Sequence, residues 1–175
     1  MGLERGDIDN LLYARNNYHK ENHSDRYIDH YLEQYRIYIH VFNSASERRL
    51  KSNEFFLTIN TAIIGILGFL ESKETLERPM IFLLVPFVGM AICYVWHRII
   101  YSYRVVKRAK YKVIHEVEKK LPIALFETEW DVLGKGKNPK KYRPLSEVEM
   151  YIPFIFISLY FLIFLANLPW LEIIN

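Results

Sequence analysis

The 175-residue chain carries 23 Lys or Arg against 20 Asp or Glu, a formal net charge of +3, and its mean hydropathy is -0.03 with 51% hydrophobic residues. Those averages suit an ordinary globular protein, but they hide segregation: three nearly charge-free runs hold much of the apolar content and the charges crowd between them. A disordered chain and a compact soluble enzyme are both poor fits, and the single cysteine, Cys93, leaves no intrachain disulfide or cysteine-rich metal site.

Residues 1–23 are polar and punctuated by Gly2, Gly6, Asn10, Asn16, Asn17 and Asn22, which predicts a loosely structured segment with Leu11, Leu12 and Tyr13 as a short helical anchor. His19 and His23 stand four apart, but HKENH lacks the second-position Glu of the zinc-protease pattern HExxH, so no metal site is expected. From residue 24 to 53 there is neither proline nor glycine, and Ser24 or Asp25 can cap a helix there. Tyr27, Tyr31, Leu32, Tyr35, Tyr38, Ile39 and Phe42 recur at three- and four-residue intervals, leaving Arg26, Asp29, Glu33 and Arg36 on other faces. The pattern predicts an amphipathic helix over 24–54 that continues into the first apolar run.

That run, residues 55–70, has no ionisable side chain and would make roughly 24 Å of helix, slightly short for a bilayer unless Asn53, Glu54 and Glu71 sit among headgroups. It starts too far into the chain to be a cleaved signal. Thr58, Thr61, Gly65 and Gly68 share one face, with Asn60 adjacent; small residues permit close helix packing, and a polar stripe in an oligomer can instead line a pore. A short turn over 71–79 leads to a second span, 80–97, in which Pro86 and Gly89 permit a kink. Ile99, Tyr103, Val106, Val113 and Val117 carry an apolar stripe onward through a helical extension over 98–121, until Leu121-Pro122 ends it; His115, Glu116 and Glu118 read as its surface. The two extensions should pack together, within one chain or between neighbours.

The connection 122–149 mixes Leu125, Phe126 and Trp130 with Gly134, Gly136, Pro139 and Pro144, and predicts a short helix near 126–133 followed by an extended basic segment. A third span covers 150–170, interrupted only by Ser158 and Asn167, and 171–175 form a tail. The expected fold is thus all-α: an integral membrane protein with three transmembrane helices and long helical extensions. Residues 98–149 hold 13 Lys or Arg against 7 acids, whereas 71–78 hold only Lys73 and Arg78 against three, so the positive-inside rule puts the N-terminus and the long connection in the cytoplasm and the C-terminus outside. Trp96, Tyr101, Tyr151 and Trp170 fall near the expected membrane interfaces.

Two basic groups are candidate anion or lipid sites. Lys135, Lys137, Lys140, Lys141 and Arg143 occur without an acid in GKGKNPKKYR, whose glycines let backbone amides approach a phosphate, although the spacing is not that of a Walker loop. Arg104, Lys107 and Arg108, with Lys110 and Lys112, lie on the second extension. Contact with anionic headgroups is the plainer account of such charges, and a dedicated anion ligand the alternative. No aromatic interleaving points to nucleic acid. The spans contain no Asp, Glu, Lys or Arg and the chain no nucleophile motif, so neither an enzyme nor a cofactor is expected.

The segments YLEQYRIYIH, SASERRLKSNEFFLTINTAIIGILG, YKVIHEVEKKLP and EWDVLGKGKNPKKYRPLSEVE, in that order before a last span, resemble small integral membrane proteins of bacterial conflict systems, including the SLATT-like effectors. The resemblance implies a homo-oligomeric inner-membrane effector in anti-phage defence, which permeabilises or depolarises the membrane when its cytoplasmic helices sense a soluble partner or nucleotide signal. The residues are equally compatible with a passive anchor or scaffold that recruits a soluble protein to the membrane.

Overall fold

The computed structural model describes residues 8, 12, 25–72, 80–136 and 145–168, and among these all regular structure is helical. The expectations for the rest of the N-terminal segment, the turn after the first span, most of the basic segment, and the tail lie outside the described residues. Five α-helices follow in order: α1 Asp25–Glu71, α2 Ile81–Glu118, α3 Leu125–Val132, α4 Leu145–Glu149 and α5 Ile152–Ala166, with a 3-10 turn at Gly134–Gly136.

Both long helices merge an amphipathic extension with an apolar run, as the uninterrupted periodicity predicts. The 47 residues of α1 rise about 70 Å and the 38 of α2 about 57 Å, well beyond the roughly 30 Å of a hydrocarbon core, so part of each must lie outside a bilayer. Three helical segments, Ile28–Glu71, Ile81–Glu118 and Glu147–Ala166, are long and apolar enough to cross a membrane. The chain divides into two units. One combines residues 1–47 with 104–143 and holds most of the charges; the other combines 48–103 with 144–175 and holds the apolar runs.

The third apolar run, expected over 150–170, is helical among its described residues as α5, preceded by the short α4. Helix α4 ends at Glu149, and α5 begins only at Ile152 with Pro153 in its first turn, where the missing N–H costs no hydrogen bond. At the other end Asn167 terminates the helix: its backbone N–H reaches Ile163 O and Phe164 O, and its side-chain Nδ2 donates to Ile163 O at 2.9 Å. Pro169, two residues on, disfavours helical backbone at Leu168.

In the charged unit the two extensions pack against each other within one chain. Tyr31 donates to Val117 O at 2.6 Å, and Phe42, 6% exposed, meets Tyr111 edge-on with ring centroids 4.9 Å apart. Phe126 from α3 approaches both rings at 6.3 Å, closing a three-helix aromatic cluster beside the fully buried Ile114.

Candidate functional site

The membrane unit is organised around one polar node. Asn60 of α1 is fully buried; its Nδ2 donates to Phe56 O at 2.7 Å, and its Oδ1 accepts from Cys93 Sγ of α2 and Tyr160 Oη of α5, each at 3.1 Å. All three apolar helices therefore meet at a single amide. Gly89 of α2 makes the meeting possible, because a Cβ there would land on the Tyr160 ring. One helical turn from Cys93, Trp96 is 1% exposed, stacks on Phe56 at 5.8 Å and donates Nε1–H to Asn53 Oδ1 at 3.0 Å. Its indole thus faces the protomer interior, whereas Tyr101 and Tyr151 stay exposed as interface rings do. Where α1 leaves the apolar run, Arg49 Nη1 and Glu149 Oε2 form an ion pair at 2.5 Å, both side chains 9% exposed.

The small-residue stripe predicted on the first span separates into two surfaces. Asn60 points into the protomer, while Thr58, Thr61, Gly65 and Gly68 all point away from it, and a Cβ at either glycine would meet nothing within 4 Å. These four positions do no packing inside the chain. They form an open strip that carries two hydroxyls and is bordered by the exposed Leu57, Ile66 and Phe69 of the same helix; on the outward faces of α2 and α5, Leu84, Phe87, Val88, Phe154, Ile155, Phe161 and Leu162 predominate.

In the charged unit the glutamates expected on the helix surface prove to be interior: Glu116 is 2% and Glu118 1% exposed. Glu116 Oε2 receives Lys119 Nζ at 2.5 Å. Glu118 performs a capping task. Ala124, which precedes α3, has no side-chain oxygen for the helix's free amides; the Glu118 carboxylate reaches across the Pro122 turn instead, accepting from Phe126 N at 3.0 Å and Glu127 N at 3.1 Å. Tyr35 Oη donates to the same carboxylate at 3.1 Å. The sequence signal for this was present but remote: an acid at the end of one helix and an uncapped start of the next, eight residues on. Glu118→Ala is expected to loosen α3 by about 1–3 kcal/mol, leaving a buried phenol and two amides unpaired, and faster hydrogen exchange over residues 125–133 measures it.

Burial, reinforced by the adjacent Glu118 carboxylate and its hydrogen bond, pushes the Tyr35 hydroxyl up to about 12 from 10.0. The folded unit prefers the neutral phenol, so this stabilisation is complete below pH 10 and disappears as pH rises through 12. Tyr35→Phe should reduce the alkaline loss of stability between those values in a pH titration of thermal unfolding; the Tyr38 hydroxyl is raised in the same direction by burial.

The predicted basic groups are only partly visible. Lys135 adopts φ 55 just after Gly134 at φ 74, the left-handed turn that glycine favours beyond a helix end, and its Nζ pairs with Asp131 at 3.0 Å. Lys137, Lys140, Lys141 and Arg143 lie outside the described residues. On α2, Lys107 Nζ sits 5.7 Å above the Tyr111 ring and Lys110 Nζ 5.3 Å above that of Tyr38, Arg104 is half-buried, and Arg108 and Lys112 are exposed. Two of these five candidate cations thus cover aromatic faces, as does Arg98 over Tyr101, a use that the sequence pattern alone does not distinguish from anion binding. Among the described residues no cluster of His, Cys, Asp and Glu has the makings of a metal site.

No curated protein and no solved structure matches the chain. A family model matches residues 32–169, more than three quarters of its length, from within the amphipathic part of α1 to just past the last apolar helix. The match includes the Asn60–Cys93–Tyr160 node, the Arg49–Glu149 pair and the Glu118 cap, and it agrees with the resemblance at the level of a small membrane protein. The chain, a bundle of helices long and apolar enough to span a membrane, belongs to the octameric membrane protein family, 8xMP.

Proposed function

We propose that eight copies form a ring in the bacterial inner membrane that acts as an effector, permeabilising or depolarising the bilayer when its cytoplasmic helices engage a soluble partner or nucleotide signal. The observation that carries this reading is the open face of α1. Hydrocarbon-compatible side chains cover the outward surfaces of α2 and α5, so lipid suits those helices, whereas Thr58, Thr61, Gly65 and Gly68 present hydroxyls and bare backbone best placed around a shared axis. The family's octameric name supports the ring, and the excess of Lys and Arg over residues 98–149 supports a cytoplasmic charged unit in contact with anionic headgroups. Continuous helices joining the charged unit to the apolar one give a rearrangement outside the bilayer a direct route to the spans, provided a ligand prefers one of two bundle states. The setting in anti-phage defence comes from the resemblance to conflict-system proteins.

Expression in bacteria tests the reading. The wild-type chain should collapse the membrane potential reported by a voltage-sensitive dye, and Thr61→Phe or Gly65→Leu should abolish that effect at unchanged protein level and oligomer mass. An intact potential with the wild-type chain, together with a soluble protein held at the membrane only in its presence, would replace the effector by the anchor or scaffold reading.

A further inference from the structure

The ring imposes a requirement on the surface of each copy. Chains that share one orientation in a membrane cannot be related by a two-fold axis lying in the membrane plane, since that operation inverts the orientation. A ring of eight equivalent copies then closes by rotation about the membrane normal, and every contact joins two different, mutually complementary surfaces. This argument rests on the octameric reading above.

The charged unit carries two such surfaces on neighbouring elements. On α2, Val105, Arg108, Ala109 and Lys112 are all exposed and fall at spacings of three, four and seven, making one face that is apolar and basic. On α3, Leu125, Thr128, Glu129 and Val132 are exposed at the same spacings, a face that is apolar and acidic on a helix, LFETEWDV, with three acids and no base. Leu125 and Val132 are 64% and 63% exposed, whereas the half-buried Phe126 of the same helix meets the Phe42 and Tyr111 rings. Neither Arg108, Lys112 nor Glu129 has an ion-pair partner among the described residues. The faces match in length, in apolar content and in opposite charge, and both lie beyond the apolar runs, where hydrocarbon does not cover them.

We propose that neighbouring copies dock head to tail outside the bilayer, the Val105–Arg108–Ala109–Lys112 face of one α2 meeting the Leu125–Thr128–Glu129–Val132 face of the next copy's α3. The valines, alanine and leucine exclude water from the contact; Arg108 and Lys112 against Glu129 fix which face meets which and repel like against like. The lone thiol of this chain is buried, so cysteine crosslinking reads the contact cleanly.

In a Cys93→Ser background, Ala109→Cys and Thr128→Cys place thiols at the centre of each face. Full-length protein in native membranes is oxidised with copper phenanthroline, and an unoxidised sample is weighed by native mass spectrometry. Each single variant should remain monomeric on a denaturing gel, while the double variant gives a covalent ladder reaching eight. Lys112→Glu added to the double variant should weaken the ladder at least fivefold, and Glu129→Lys on top of it should restore it. Covalent dimers from either single variant would overturn the proposal by showing that like faces meet. No ladder from a sample that still weighs eight copies would overturn it too and leave the basic α2 face to another occupant, such as anionic lipid. A mass other than eight copies would remove the ring reading, and the docking with it.

Discussion

Arg49→Met is expected to destabilise the membrane unit by about 3–5 kcal/mol, because it strands the Glu149 carboxylate, 9% exposed, without its counter-charge. The pair joins α1 to the short helix α4 that leads into the last apolar helix, 100 residues along the chain. Arg49 Nε is itself buried without a partner, so the pair is not a fully satisfied network, and its merit lies in fixing where α4 docks rather than in raw stability. The double replacement Arg49→Met with Glu149→Leu should therefore recover most of the loss. Thermal unfolding of purified protein in detergent, followed by tryptophan fluorescence, measures both; an equal loss in the double variant would mean that shape rather than charge holds the junction.

Gly89→Val carries the second large effect. A Cβ at residue 89 overlaps the Tyr160 ring, which is fully buried and flanked by its hydrogen bond to Asn60, so the ring must move and the α2–α5 approach must widen. Overpacking of this kind costs about 1–3 kcal/mol, and displacing the Tyr160 hydroxyl adds the smaller value of an interhelical hydrogen bond in a membrane, averaging about 0.6 kcal/mol. Tyr160→Phe, which keeps the ring and removes only the hydroxyl, should cost no more than that smaller part. Gly89→Val combined with Tyr160→Ala should be milder than the sum of the two single losses, since the alanine vacates the space the valine needs. The same unfolding assay reads all four variants.

These two sites show what a linear reading of the chain sees. The long helices were legible because no proline or glycine interrupts 24–53 and the apolar residues keep helical spacing into charge-free runs. The short helix before the basic segment was legible from Phe126 and Trp130, and its bounds, Leu125–Val132, lie within a residue of the expectation. Pairings across 83 or 100 residues were not. Glu118 and Glu149 look like surface charges in a sequence, and only the return of the chain gives each its partner: Tyr35 and the α3 amides for one, Arg49 for the other. Asn60 stands beside the small-residue stripe in the sequence, yet one residue is 100° of helix rotation, which turns it inward while Thr61 faces out. The third apolar helix is legible from its charge-free run, whereas the part Pro153 and Asn167 play at the ends of α5 is not read from apolarity alone.

The polar node and the Arg49–Glu149 pair join three apolar helices and the Glu118 carboxylate caps α3; the proposed ring of eight copies is built on that bundle. Native mass spectrometry of the intact protein released from lipid nanodiscs tests this most directly. The proposed ring gives a dominant species of eight 21.0 kDa chains, and the same species with Thr61→Phe or Gly65→Leu. A protein that leaves the membrane in a salt wash, or flies as monomers and dimers from nanodiscs, would contradict it.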